Sequence, residues 1–162
     1  MLGCFTPFHK CIDNAIHASA GPRLRDDCYL IMQKQKTLEP IGIAKITRGY
    51  NLPATYILHT VGPNLSKSEH GKRSLQIIEE HAKQLGSCYR SCLELADQIP
   101  AIRRLAFCCI STGAFEFPND VAAPLALSSV HEWVQQHPSR FDLIVFNVFT
   151  QKDVEIYRKL FQ

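Results

Sequence analysis

No long apolar run opens this chain: Met1 to Lys10 holds Pro7 and His9, which supports neither a secretory leader nor a membrane span. An excess of one charge is missing too. Lys and Arg number 18 against 15 Asp and Glu, and the net charge of +3 is spread along the chain, so a dedicated nucleic-acid binder is not expected. Internal repeats and low-complexity tracts are absent, which sets aside repeat arrays and linkers. What remains is 162 residues with 46% hydrophobic content, enough for one domain with a buried core spanning residues 1–162. The expectation is a cytoplasmic protein with no membrane and no direct nucleic-acid partner. Cysteine, by contrast, is plentiful. Seven is an odd count, and Cys108 and Cys109 stand side by side in an apolar stretch where they read as small buried hydrophobes. A disulfide framework is not expected, and in a reducing compartment Cys4 and Cys11, close to His9, are better considered as metal ligands or reactive thiols.

The periodicity predicts a short helix over Asp13 to Ala20, ended by Gly21-Pro22, which also opens a second helix running to about Gln33. Ile43 to Thr47 and Thr55 to Val61 are β-branched and aromatic and are punctuated by Gly49 and Gly62-Pro63, as strands are. A polar loop, Asn64 to Ser74, leads to a long amphipathic helix over Lys72 to Gln98, with Leu75, Ile78, Ala82, Leu85, Tyr89, Cys92, Leu93 and Ala96 at helical spacing. Leu105 to Ile110 reads as a strand covered on both faces, leading through Ser111 to Pro118 into a helix capped by Asn119. Leu143 to Phe149 and Asp153 to Phe161 give a last strand and helix. Strands alternating with helices imply an α/β fold with a mostly parallel sheet and helices on both faces.

Three segments carry candidate chemistry. In Gly3-Cys4-Phe5-Thr6-Pro7-Phe8-His9-Lys10-Cys11-Ile12-Asp13-Asn14, two thiols and an imidazole fall within eight residues and could converge on Zn²⁺, leaving a fourth position for water or substrate. The plainer reading is two ordinary thiols and a surface imidazole in a loop. Two thiolates weaken the power of Zn²⁺ to acidify water, so a helper base would be useful. Asp13 is placed for that, and equally for capping the helix that starts there. His17, four residues on, shares its helical face. Ser111-Thr112-Gly113-Ala114-Phe115-Glu116-Phe117-Pro118 lies between strand and helix, where backbone amides and a glycine can wrap a diphosphate; the same segment is also consistent with an ordinary connection. Gly49-Tyr50-Asn51-Leu52-Pro53 with Tyr56 to Pro63 specifies a turn and a strand but no chemistry, and His59 fits a satisfied core histidine.

Together these residues resemble the macrodomain family. Gly49 to Pro53 with His59-Thr60-Val61-Gly62-Pro63 looks like its paired signature, and Ile110-Ser111-Thr112-Gly113 with Phe117-Pro118 looks like its diphosphate loop. Cys4 to Asn14 with Ala15-Ile16-His17 is similar to the zinc-containing microbial branch, often encoded beside a sirtuin-class ADP-ribosyltransferase. The resemblance implies a three-layer α/β/α macrodomain with a mostly parallel mixed sheet. The activity it implies is that of a protein-ADP-ribose hydrolase removing mono-ADP-ribose from modified side chains, with ADP-ribose at the C-terminal edge of the sheet. Cys4, His9 and Cys11 would be the Zn²⁺ ligands. Asp13 would orient or activate water, with Ile12 and Asn14 beside it on the substrate. Ser111, Thr112, Gly113, Ala114, Phe115, Glu116 and Phe117 would hold the diphosphate and distal ribose, and Phe149 and Asn147 would lie near adenine. Family members carry several strands ahead of the zinc loop, whereas Met1 falls at that loop here, so the chain is expected to be N-terminally truncated, less stable, and weak in nucleotide binding. A non-catalytic ADP-ribose-binding module and an inactive fragment are the alternatives.

Overall fold

The computed structural model describes residues 2–4, 9–66 and 75–162, with the side chains of the last segment from residue 79 onward. The Pro7 bend, most of the Asn64 to Ser74 loop and the start of the long helix lie outside the described residues, as do the side chains of Leu75 and Ile78. Among the described residues nine elements follow in order: α1 (Ile12–Ala20), α2 (Pro22–Gln35), β1 (Ala44–Arg48), β2 (Tyr56–Thr60), α3 (Leu75–Asp97), β3 (Arg104–Cys108), α4 (Asn119–Gln136), β4 (Leu143–Asn147) and α5 (Gln151–Leu160). No helix among the described residues is long and apolar enough to cross a membrane.

Two caps differ from the sequence reading. The α1 N-cap is Cys11, whose Sγ accepts from the Asn14 amide at 3.5 Å, so Asp13 lies one residue inside the helix and its carboxylate is released for other contacts. At α4 the N-cap is Pro118 and makes no side-chain cap bond; Asn119 instead donates to Asp153 Oδ1 at 2.7 Å. Asp153 is buried, accepts from Thr150 Oγ1 at 2.6 Å, and so ties the start of α5 to the start of α4. At the α1–α2 junction the expectation holds: Gly21 takes φ +89° and Pro22 opens α2, where its missing N–H costs no hydrogen bond.

Among the described residues the strands form two pairs. β1 and β2 are antiparallel with Ile46 opposite Leu58, and β3 and β4 are parallel with Ala106 opposite Val145. β3 ends at Cys108 and is not covered on both faces: Leu105 and Phe107 are buried while Arg104 and Ala106 are exposed, the alternation of a strand with one face in the core. Cys108 and Cys109 are only half-buried, because the chain leaves the strand there for a turn.

The main core gathers Leu85, Tyr89, Leu93, Phe107, Phe117, Ala126 and Trp133 from α3, β3, the loop after β3 and α4, with Ile46 and Leu58 packed against it from the hairpin. A smaller cluster joins Leu2, Ala20, Leu24 and Cys28 to Tyr50 and Leu52. The hairpin tip is bolted to the helices by the Asn51 amide, which donates to Ala20 O at 3.3 Å, and by the Tyr50 hydroxyl, which donates to Asp27 Oδ2. Arg140 closes the far end of α3. Its guanidinium donates to Asp97 Oδ1 at 2.6 Å and to the carbonyls of Ala96, Asp97, Ile99 and Ile102 at 2.7–3.0 Å, tying the end of α3 to the turn that follows it; the Ala96 and Ile99 carbonyls also accept from the amides of Ile99 and Ile102.

Candidate functional site

Cys4 and His9 both lie close to Cys11, at the start of α1. Cys4 Sγ lies 3.2 Å from His9 Nδ1, and the ligand atoms of Cys4, His9 and Cys11 all lie within 4.8 Å of one another. The trio that the sequence places within eight residues is therefore brought together in space. Cys11 Sγ faces inward as the α1 cap, and burial, acting against the hydrogen bond from Asn14, pushes its thiol pKa up.

Three side chains hold this loop. Asp13 Oδ2 accepts from the Cys4 amide, which pins the first thiol to the helix that carries the last. Asn14 Nδ2 donates to His9 O at 2.8 Å. Arg25, from α2, donates to Cys4 O at 3.3 Å and reaches Asn14 Oδ1 at 3.5 Å. Arg25 was missed in the sequence because it is one of many scattered charges; only the packing of α2 beside α1 gives it a role. Ile12 is half exposed beside Asp13.

The other Asp13 oxygen, Oδ1, lies 3.6 Å from His17 Nε2, the spacing expected of residues four apart on one helix face. The Asp13 side chain is 35% exposed, that of His17 only 1%. Burial lowers the His17 pKa against the opposing pull of Asp13. Behind them His59, in β2, sits 2.8 Å from Thr47 Oγ1 across the hairpin, and burial takes its pKa down to about 4. The satisfied core histidine of the sequence reading is thus found, with Thr47 as its partner.

The second constellation leaves the end of β3. Ser111 and Glu116 bracket it with left-handed backbone, at φ 65° and 55°, a conformation that costs a non-glycine residue roughly 1–2 kcal/mol. Hydrogen bonds within the loop hold that strain: Glu116 N donates to Gly113 O at 2.9 Å, and Phe117 N to Ser111 O at 3.0 Å. Phe117 is buried as the anchor of the loop, Phe115 is half-buried, and Gly113, Ala114 and Glu116 are exposed. The amides of Thr112, Gly113, Ala114 and Phe115 have no hydrogen-bond partner among the described residues. Ser111 Oγ is buried and likewise unpartnered.

Two glycines differ in what they permit. A Cβ on Gly62 would stand 2.0 Å from Ser111 Oγ, so the end of β2 and the end of β3 touch only because residue 62 has no side chain. A Cβ on Gly113 would meet nothing within 4 Å, so the fold itself gives no steric reason for glycine there. Asn147 pairs with Cys108 at the same end of the sheet, and Phe149, two residues later, is 95% exposed. α1 meets β2 through His17 and His59, whose ring centroids are 6.3 Å apart, and β2 meets the Ser111 loop through Gly62. The two constellations thus flank the C-terminal end of one strand.

Comparison with known proteins places the chain in a family. A family model described as Macro domain matches residues 3–126. A protein of Staphylococcus aureus (strain MRSA252), named Protein-ADP-ribose hydrolase, is 48% identical over 160 residues, covering 99% of the chain and 57% of the relative. A Fusarium oxysporum f. sp. cubense protein, named Probable bifunctional ADP-ribose hydrolase/ADP-ribosyltransferase, is 48% identical over 165 residues, 98% of the chain and 26% of that protein. The chain therefore spans little more than half the length of the first relative and about a quarter of the second. Among solved structures, the Trypanosoma brucei macrodomain in complex with ADP-ribose superposes with a TM-score of 0.80 at 32% identity, covering 99% of the chain and 59% of that protein.

Proposed function

The chain belongs to the macro domain family, and from that premise we propose that it binds ADP-ribose and hydrolyses the bond linking mono-ADP-ribose to protein side chains. The observation that carries the hydrolytic part is the joining of Cys4, His9 and Cys11 to Asp13 in one clamped loop. Two thiols and an imidazole, partly accessible and mutually within 4.8 Å, suit Zn²⁺ by donor type and separation. Cys4, His9 and Cys11 would hold the ion, which when bound supplies Lewis-acid stabilisation of negative charge at the distal ribose.

The remaining roles belong to the chain's own side chains. Asp13, partly exposed and oriented by the Cys4 amide and His17, accepts a proton from water as that water attacks. Ile12 and Asn14 line the approach on either side. The free amides of Thr112 to Phe115 donate to the diphosphate, with the unpartnered Ser111 hydroxyl beneath. Glu116 completes the wall toward the distal ribose, with Phe117 buried beneath it holding the loop in place, Phe149 stacks on adenine, and Asn147 lies beside it. ADP-ribosylated protein is then the partner. We also propose a cytoplasmic setting and a working link to a sirtuin-class ADP-ribosyltransferase; the Fusarium relative, whose name joins hydrolase to ADP-ribosyltransferase, supports a link to a transferase.

Two measurements test this. Zinc-replete protein is expected to release ADP-ribose from a mono-ADP-ribosylated protein, with a rate that falls at least about tenfold after chelation and returns with Zn²⁺. No release from the zinc-loaded protein defeats the hydrolase reading, and calorimetric affinity without release favours a binding module. Gly113→Val is expected to leave stability within about 0.5 kcal/mol of wild type, since nothing crowds the new side chain. The same change should weaken ADP-ribose at least about tenfold by calorimetry, because a branched side chain holds a diphosphate off the amides. Unchanged affinity would remove the loop from the site.

A further inference from the structure

Behind the Cys4 loop lies a second group of soft donors that the hydrolytic reading does not use. His17 from α1, Cys28 from α2 and His59 from β2 each offer a ligand atom within 4.8 Å of the other two. All three are buried, at 2%, 1% and 9% exposure. Neither ring nitrogen of His17 has a hydrogen-bond partner among the described residues. A buried polar atom left in that state costs about 1–3 kcal/mol, and native interiors hold few of them.

We propose that His17, Cys28 and His59 form a buried binding site for a single zinc ion, separate from the Cys4, His9 and Cys11 loop. Imidazole nitrogen and thiolate sulfur are each ligands that zinc takes in proteins. Tetrahedral coordination places such donor atoms about 3.3–3.7 Å apart, so closing from at most 4.8 Å needs shifts of about 1.5 Å or less. His59 is already oriented by Thr47 Oγ1, 2.8 Å from Nε2, the kind of outer hydrogen bond that fixes a ligating ring; with Thr47 accepting, the lone pair is on Nδ1. Burial keeps His59 neutral at pH 7, the form that ligates. The same burial raises the Cys28 thiol to about 11, so without a cation it is an inert thiol. On binding, the Cys28 sulfur forms its bond to zinc and gives its proton to solvent.

A zinc ion here would brace the α1–α2–β2 junction on which Asp13 is mounted. It would do so whether or not the outer loop carries metal.

The test uses the full chain with Cys4→Ser and Cys11→Ser, which removes both loop thiols, and cobalt(II) as a spectroscopic probe. About one equivalent of cobalt is expected to bind, with thiolate-to-metal absorption and release of about one proton. Adding Cys28→Ser, or His59→Gln with folding checked by circular dichroism, is expected to abolish that absorption. A measurement needing no further substitution is alkylation in mild denaturant, where transient opening of the fold exposes Cys28, followed by peptide mapping: cobalt is expected to slow labelling of Cys28 at least about tenfold. A loop variant that binds no cobalt, or whose Cys28 labels equally with and without it, overturns the proposal. Because the loop thiols are absent throughout, failure of the outer zinc site leaves this result unaffected.

Discussion

Replacing Asp13 by asparagine is expected to slow ADP-ribose release by about 10²–10⁴-fold, the range that a positioned general base supplies. Asparagine keeps the shape, and its amide oxygen can still accept the Cys4 N–H that the Asp13 carboxylate accepts now. What it loses is the ability to take a proton. Single-turnover release from a mono-ADP-ribosylated protein should therefore collapse while calorimetric affinity for ADP-ribose changes by less than about tenfold. Asp13→Ala removes the clamp as well, so that variant is also expected to lower the zinc content of the Cys4 loop, which metal analysis reads directly. Asp13→Asn retaining release within tenfold of wild type would strip Asp13 of the role of base. Parallel loss of affinity and rate would instead make it a shaping residue.

The second large effect concerns stability. Arg140→Ala is expected to cost about 2–4 kcal/mol, because the carbonyls of Asp97 and Ile102 lose the donor that Arg140 supplies, while those of Ala96 and Ile99 keep just the backbone amides of Ile99 and Ile102. The ion pair with Asp97 contributes little of this, since the Asp97 side chain is 41% exposed and such pairs are screened by solvent. For a chain of this length the loss corresponds to roughly 5–15 °C in Tm, measured by circular dichroism. Lysine has three donors on a flexible stem and no planar fork, so Arg140→Lys should recover only part of the difference. A Tm within about 2 °C of wild type would show that the carbonyls are satisfied equally well by water.

Much of the fold was legible locally. Gly21-Pro22 marked the end of one helix and the start of another, and β-branched, aromatic and apolar runs located each strand to within a few residues. Those signals are properties of neighbouring residues and need no knowledge of the rest of the chain. The caps were misread for the opposite reason. Aspartate and asparagine are the usual caps, yet Cys11 caps α1 because the loop already holds Asp13 against the Cys4 amide, and Asn119 is drawn to Asp153. Such competition between partners is settled by packing. The one-sided burial of β3 had the same origin: a continuous apolar run does not say which faces will be covered.

By itself, then, the sequence determined the order of elements, the placing of Cys4, His9 and Cys11 within eight residues, and the strand-to-helix loop at Ser111 to Pro118, since each is encoded in adjacent residues. Only the tertiary structure decided that Arg25 fastens the Cys4 loop, that Arg140 caps α3 from 43 residues away, and that His17, Cys28 and His59 meet. Those contacts join elements that are distant in the chain, and periodicity and turn chemistry carry no information about which distant surfaces will be pressed together.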